Sequence, residues 1–142
     1  MSTLIACFVA VAVGKTLALL LPFRLRPLHD DNLALTLPYG VSQTILEGWS
    51  SFPSDHAVLF YALATGMFFI SARVGIFAFL FVTLIISLPR VYLGLHYPTD
   101  IAGGAAVGIA IALLFNLSAF NERVSKPVAS WADLRPEYFY PI

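Results

Sequence analysis

Arg24 and Arg26 stand close together, His56 closes the run Pro53-Ser54-Asp55-His56, and Arg90 is followed by His96 and Asp100. Those residue types suit chemistry on an anion. Arg26 and Arg90 offer planar forks that match phosphate oxygens. His96 and Asp100 are one helical turn apart, and Pro98 suits the first turn of a helix, so the carboxylate is expected to reach back to the imidazole. That contact would fix the tautomer and raise the nucleophilicity of the other ring nitrogen. Ser54 precedes an apolar run over 57–70 and reads as an N-cap. The start of that helix offers unpaired N–H groups and a dipole end that both favour negative charge.

The elements that must carry these residues are membrane helices. Of 142 residues, 59% are hydrophobic and only 11% charged, against roughly 25% charged in an ordinary soluble domain. So few polar groups cannot cover a small soluble protein without leaving large apolar patches. Four runs approach the roughly 20 apolar residues that a bilayer requires: 3–21, 56–72, 74–91 and 98–120. An all-α, polytopic transmembrane bundle of about four spans is predicted. The two middle spans read as short and, with a tight turn at 71–75, as an antiparallel hairpin. Residues 25–52, with Pro27, Asp30, Asp31, Pro38, Gly40 and Glu47, read as a long loop with Trp49 as a headgroup-level anchor. Residues 1–120 are thus expected to form the embedded domain, and 121–142, broken by Pro127, Pro136 and Pro141, a cytoplasmic or interfacial tail.

Other classes recede. A net charge of zero argues against nucleic-acid binding, and the lone Cys7 excludes a disulfide framework or a multi-cysteine metal site. Gly14-Lys15-Thr16 resembles the end of a phosphate-binding P-loop, but its first glycine would fall at Val9. Leu4 to Cys7 resembles a lipoprotein box without the leader that should precede it, so Cys7 reads as a small buried hydrophobe. Asn116-Leu117-Ser118 lies at the end of a span and matches a glycosylation site in letters only. His29 reads as structural, the Phe77 to Phe81 stretch as lipid-facing or core, and Gly104 and Gly108 as a helix-packing face. A homo-oligomer is left open. Ionisable residues at membrane depth are costly and usually functional. Here Arg24, Arg26, His56, Arg90, His96 and Asp100 gather at span ends on one face. Arg73, Arg123 and Lys126 share the other face, which is cytoplasmic if the first three arginines serve a site.

Pro53-Ser54-Asp55-His56, then Arg90, His96 and Asp100, with Arg26-Pro27 upstream, resembles the type 2 phosphatidic acid phosphatase family, whose site is similar to that of vanadium haloperoxidases. The wider runs 51–57 and 90–100 strengthen the likeness, which covers roughly residues 15–115. The resemblance implies a metal-independent phosphatase without a cofactor. His96 would attack phosphorus and become a phosphohistidine, Asp100 would hold it, and His56 would protonate the leaving oxygen and then activate water. Arg26, Arg90, Ser54 and the N–H groups around Asp55 would stabilise the equatorial oxygens.

The chain departs from the family pattern at three positions. Leu19 stands in place of a lysine, with Lys15 one turn deeper and able to snorkel toward the site. Asp55 replaces a glycine, as in some bacterial undecaprenyl pyrophosphate phosphatases, and Pro89 replaces a serine. Arg24 reads equally as a headgroup anchor or a substrate contact. The family usually has six spans, of which these four correspond to the last, so the chain is either a minimal variant or starts two helices late. The expected partners are membrane lipids and a lipid phosphate or pyrophosphate, undecaprenyl pyrophosphate first. Leu33, Leu35, Leu37, Ile45 and Trp49 are candidates to line the entrance for an isoprenoid tail. Phosphatidic acid and phosphatidylglycerol phosphate are rival substrates, and a small transporter or an inactive scaffold is the rival class. The implied location is the inner membrane, with the site on the extracytoplasmic side.

Overall fold

The computed structural model describes residues 2–33, 42, 44 and 46–133. Among them there are no strands and four helices: α1 (Ser2–Leu20), α2 (Asp55–Phe68), α3 (Ala72–Tyr92) and α4 (Pro98–Asp133). Leu35, Leu37 and Ile45 lie outside the described residues.

Among the described residues three helices, not four, are long and apolar enough to cross a membrane: α1, α3 and the Pro98–Leu117 part of α4. The hairpin expectation needs two corrections. The 14 residues of α2 rise about 21 Å at 1.5 Å per residue, short of a hydrocarbon core of about 30 Å. The 21 residues of α3 reach it, because the helix begins at Ala72, directly after Ser71, and runs on to Tyr92. Its stretch Val82–Ser87 is wound as a π-helix and leads directly into the turn that carries Pro89 and Arg90. Beyond its spanning part, α4 stays helical to Asp133, so the segment expected as a tail begins as a helix despite Pro127.

α2 can be short because the other helices shelter it. It packs against α1, α3 and α4 and is lined with small or buried residues: Ala57, Val58, Ala62 and Ala64. Val58 and Ala62 meet Cys7 and Ala10 of α1 and Ala112 of α4 in one apolar cluster, and Cys7 is buried there as expected. Tyr61 and Ala64 meet Val82 of α3 in a second. The glycine face of α4 packs inside the chain: a Cβ at Gly104 would press on the Ser54 carbonyl and one at Gly108 on the Val58 carbonyl. Close backbone approach of this kind is how small residues join helices in lipid. Phe8, Phe77, Ile85 and Leu114 point outward, as an apolar solvent allows.

Two connections bring the polar residues to one end. Ser51 N–H donates to the Arg24 carbonyl at 2.9 Å, closing the long first loop back on itself, and Leu28 N–H donates to the Gly94 carbonyl at 2.9 Å. Gly94 has φ +67 and sits against the Leu28 backbone, a left-handed conformation that other residues adopt only at a cost. The α3–α4 link is thereby pinned to the first loop.

Candidate active site

The loop and the helix ends enclose a cavity of about 630 Å³ whose wall includes Lys15, Arg26, Trp49, Asp55, His56, Arg90 and His96. His96, at the end of the α3–α4 link, is buried. Its Nδ1 is 2.9 Å from the Ser51 carbonyl and only 3.8 Å from Asp100 Oδ2. The expected direct hydrogen bond from imidazole to carboxylate is therefore replaced by one to a backbone carbonyl. The reason lies in Asp100 itself, whose Oδ2 is taken by Ser51 Oγ at 2.5 Å and Tyr97 N–H at 2.8 Å. Because a carbonyl only accepts, Nδ1 carries the proton, and the Nε2 lone pair is left to accept the one hydrogen bond that a guanidinium can give it. Nε2 faces Arg26 Nη1 at 3.3 Å.

Arg26 is held by backbone. Its Nη1 donates to the Leu95 carbonyl at 2.7 Å and its Nη2 to the Ser50 carbonyl at 3.3 Å. Burial pulls its guanidinium below the ordinary arginine range, while the carboxylates of Asp100 and Asp55 oppose that shift. Its Nε is buried with no partner, as are Arg90 Nε and Ser54 Oγ. Unmatched buried polar atoms are costly, and these three stand around the start of α2. Ser54 occupies the N-cap position with extended backbone, but its hydroxyl makes no capping bond. That corrects the side-chain part of the capping expectation, and Ser54 N–H donates instead to the Asp100 carbonyl at 3.2 Å, which ties α2 to α4.

Arg24 is turned away from the cavity. Its Nη1 donates to Asp100 Oδ1 at 2.8 Å and Thr99 Oγ1 at 3.0 Å, and its guanidinium lies 4.4 Å from the centre of the Tyr97 ring. Lys15 does reach the cavity, where its ammonium meets Asp55 Oδ2 at 2.5 Å. His56 is exposed on the same wall, one turn from Phe60.

The family pattern described as the PAP2 superfamily matches residues 1–123 of the chain. The chain belongs to the PAP2 superfamily. Among curated PAP2-like relatives, the bacitracin transport permease protein BcrC of Bacillus licheniformis is 36% identical over 64 residues, 45% of this chain and 31% of that protein. The undecaprenyl-diphosphatase BcrC of Bacillus subtilis is 29% identical over 107 residues, 75% of this chain and 51% of that protein. The putative undecaprenyl-diphosphatase YbjG of Escherichia coli is 28% identical over 130 residues, 89% of this chain and 61% of that protein. The chain thus spans about a third to three fifths of the length of these relatives. No solved structure matches at a significant level.

Within the PAP2 frame, sequence reasoning missed Ser51. It is fully buried and touches both sides of the His96–Asp100 pair, through its carbonyl and its hydroxyl. Its place two residues before Pro53 in a motif-bearing run was the available signal. Its partner was not readable, because Asp100 lies 49 positions away.

Proposed function

We propose that the chain is the core of an integral-membrane phosphatase that removes a phosphoryl group from a lipid diphosphate through a phosphohistidine. One observation carries this reading: the unprotonated Nε2 of His96 accepts from Arg26 Nη1 at 3.3 Å, a bond that a phosphoryl oxygen would draw away to free the nucleophile, beside a cavity that also presents Arg90 and His56. In the first step Nε2 bonds to the terminal phosphorus, the bond to the bridging oxygen breaks, and His56 gives that oxygen a proton. Arg26, Arg90, Ser54 Oγ and the first N–H groups of α2 hold the equatorial oxygens, where stabilisation of phosphoryl transfer chiefly lies. His56 then takes a proton from water, the hydroxide attacks the phosphohistidine, and inorganic phosphate leaves. Asp100 acts on His96 through Ser51 and through its charge.

The names of two relatives favour undecaprenyl diphosphate over phosphatidic acid or phosphatidylglycerol phosphate as the substrate. Recycling that carrier suits an inner-membrane protein with its site on the extracytoplasmic side. The test is phosphate release from undecaprenyl diphosphate in detergent with a chelator present, comparing wild type with His96→Ala. Release is expected from wild type alone, with radiolabelled phosphate trapped on the protein through alkali and lost in acid. Release that survives the substitution would overturn the phosphohistidine.

A second reading, transport, is favoured by the name of one relative. Against it, the one charge on α1, Lys15, is drawn to Asp55 at the cavity mouth and not to a path through the bundle. Uptake of labelled substrate by proteoliposomes with no phosphate released would favour transport.

A further inference from the structure

The one charged departure from the family pattern, Asp55, meets the displaced lysine. Leu19 stands where the pattern has lysine and Asp55 where it has glycine, yet Lys15, one turn deeper, reaches the Asp55 carboxylate at 2.5 Å and lies 4.9 Å from the centre of the Trp49 ring. Both members of this pair line the cavity that holds Arg26 and Arg90. The two cationic stations lie at different depths: Arg26 is 6% exposed, whereas the Lys15 side chain is 45% exposed. A cavity of about 630 Å³ falls in the range of sites for ligands far larger than one phosphate, roughly 300–1,000 Å³. An ammonium has three donors. Asp55 engages one and the face of Trp49 steadies the charge, which leaves donors for a ligand at the mouth.

We propose that Lys15 is a specificity residue that binds the second, lipid-proximal phosphoryl group of a diphosphate, with Asp55 and Trp49 positioning it, while Arg26 and Arg90 hold the terminal one. Asp55 also neutralises Lys15 at a distance. A monophosphate held at the deep end gains little from the pair, whereas a phosphoryl group beside it accepts a charge-assisted hydrogen bond. Discrimination between diphosphate and monophosphate therefore resides in Lys15. The turnover consequence rests on the phosphatase reading; the binding consequence does not.

The test uses inorganic pyrophosphate and inorganic phosphate as probes, titrated calorimetrically into detergent-solubilised full-length protein. A His96→Ala background, lacking the nucleophile, keeps pyrophosphate from being consumed. Pyrophosphate is expected to bind at least about tenfold more tightly than phosphate, and adding Lys15→Ala should weaken pyrophosphate about tenfold, or about 1.4 kcal/mol. Phosphate should change by less than about twofold, which also reports that the deep site is still folded. Asp55→Asn, which ends the neutralisation of Lys15, should tighten phosphate and so narrow the gap between the two probes, while Arg26→Ala should weaken both. Equal weakening of both probes by Lys15→Ala would place Lys15 on the terminal phosphate and overturn the proposal. So would no weakening, or a parent protein that binds the two probes alike. In turnover, Lys15→Ala should lower kcat/KM for a short prenyl diphosphate about tenfold and leave the matching prenyl monophosphate within about twofold. A wild type that releases phosphate from neither lipid defeats the phosphatase reading, and the calorimetry still decides the second station.

Discussion

Two ion pairs at the same end of the bundle differ in almost every physical respect. Arg24 and Asp100 meet at 2.8 Å with the carboxylate wholly buried, whereas Lys15 and Asp55 meet at 2.5 Å with both side chains about two fifths exposed. Asp100 is also given hydrogen bonds by Ser51 Oγ and Tyr97 N–H. Asp55 has Lys15 as its ion-pair partner. A buried carboxylate must be matched on every side or it costs several kcal/mol, so the inner pair locks the first loop, the α3–α4 link and the start of α4 into one geometry. An exposed pair contributes roughly 0–1 kcal/mol and is free to exchange partners. The inner pair is suited to positioning a nucleophile, and the outer pair to reading a ligand.

The largest effect should come from the residue that the inner pair serves. His96→Ala is expected to lower phosphate release by on the order of a thousandfold or more, with a loss of about 1 kcal/mol of stability because the Ser51 carbonyl loses its Nδ1 donor. Arg24→Ala should break the other way: it leaves Asp100 buried with less compensation, so a loss of roughly 1.5–3 kcal/mol of stability is expected in detergent. Retention of full stability would mean that the guanidinium does not hold the carboxylate, and the contrast between the pairs would fail. Ser51→Ala removes one hydrogen bond to Asp100 but keeps the carbonyl on His96 Nδ1. A fall of about tenfold in kcat with KM unchanged is expected, and Ser51→Thr, which keeps the hydroxyl, should recover most of it. A change in KM alone would point to substrate binding and not to positioning.

Composition and motif spacing already carried the bundle and the cluster of Arg26, His56, Arg90, His96 and Asp100, because lipid leaves so few charges that each one stands out. The Gly104 and Gly108 face was readable for the same reason, as small residues at helical spacing have few other uses in lipid. Three things were not readable. The length of α2 depends on where its neighbours cover it, and hydropathy continues past Phe68 to Ile70. The partner of His96 Nδ1 is a backbone carbonyl, which no side-chain pattern encodes. The roles of Arg24 and Lys15 depended on which acid each one meets across 76 and 40 positions. Two arginines two residues apart thus face opposite ways, Arg26 into the cavity and Arg24 onto Asp100.

The smallest effect separates the pairs most cleanly. Salt shortens the screening length from about 10 Å at 0.1 M to about 3 Å at 1 M, and it acts on exposed charges far more than on buried ones. In a double-mutant cycle of Lys15→Ala and Asp55→Ala, read by thermal unfolding in detergent, the coupling should be below about 1 kcal/mol at low salt and vanish near 1 M. The Arg24 and Asp100 cycle should be larger and lose less to the same salt, because the Asp100 carboxylate has no exposed surface even though the Arg24 side chain is 40% exposed. If the outer coupling persisted at high salt, Lys15 would be fixed to Asp55 as firmly as Arg24 is to Asp100. A lysine so fixed still presents its remaining donors with Asp55 in place, as its specificity role requires, so a persistent coupling would erase the contrast between the two pairs and leave the diphosphate role to calorimetry.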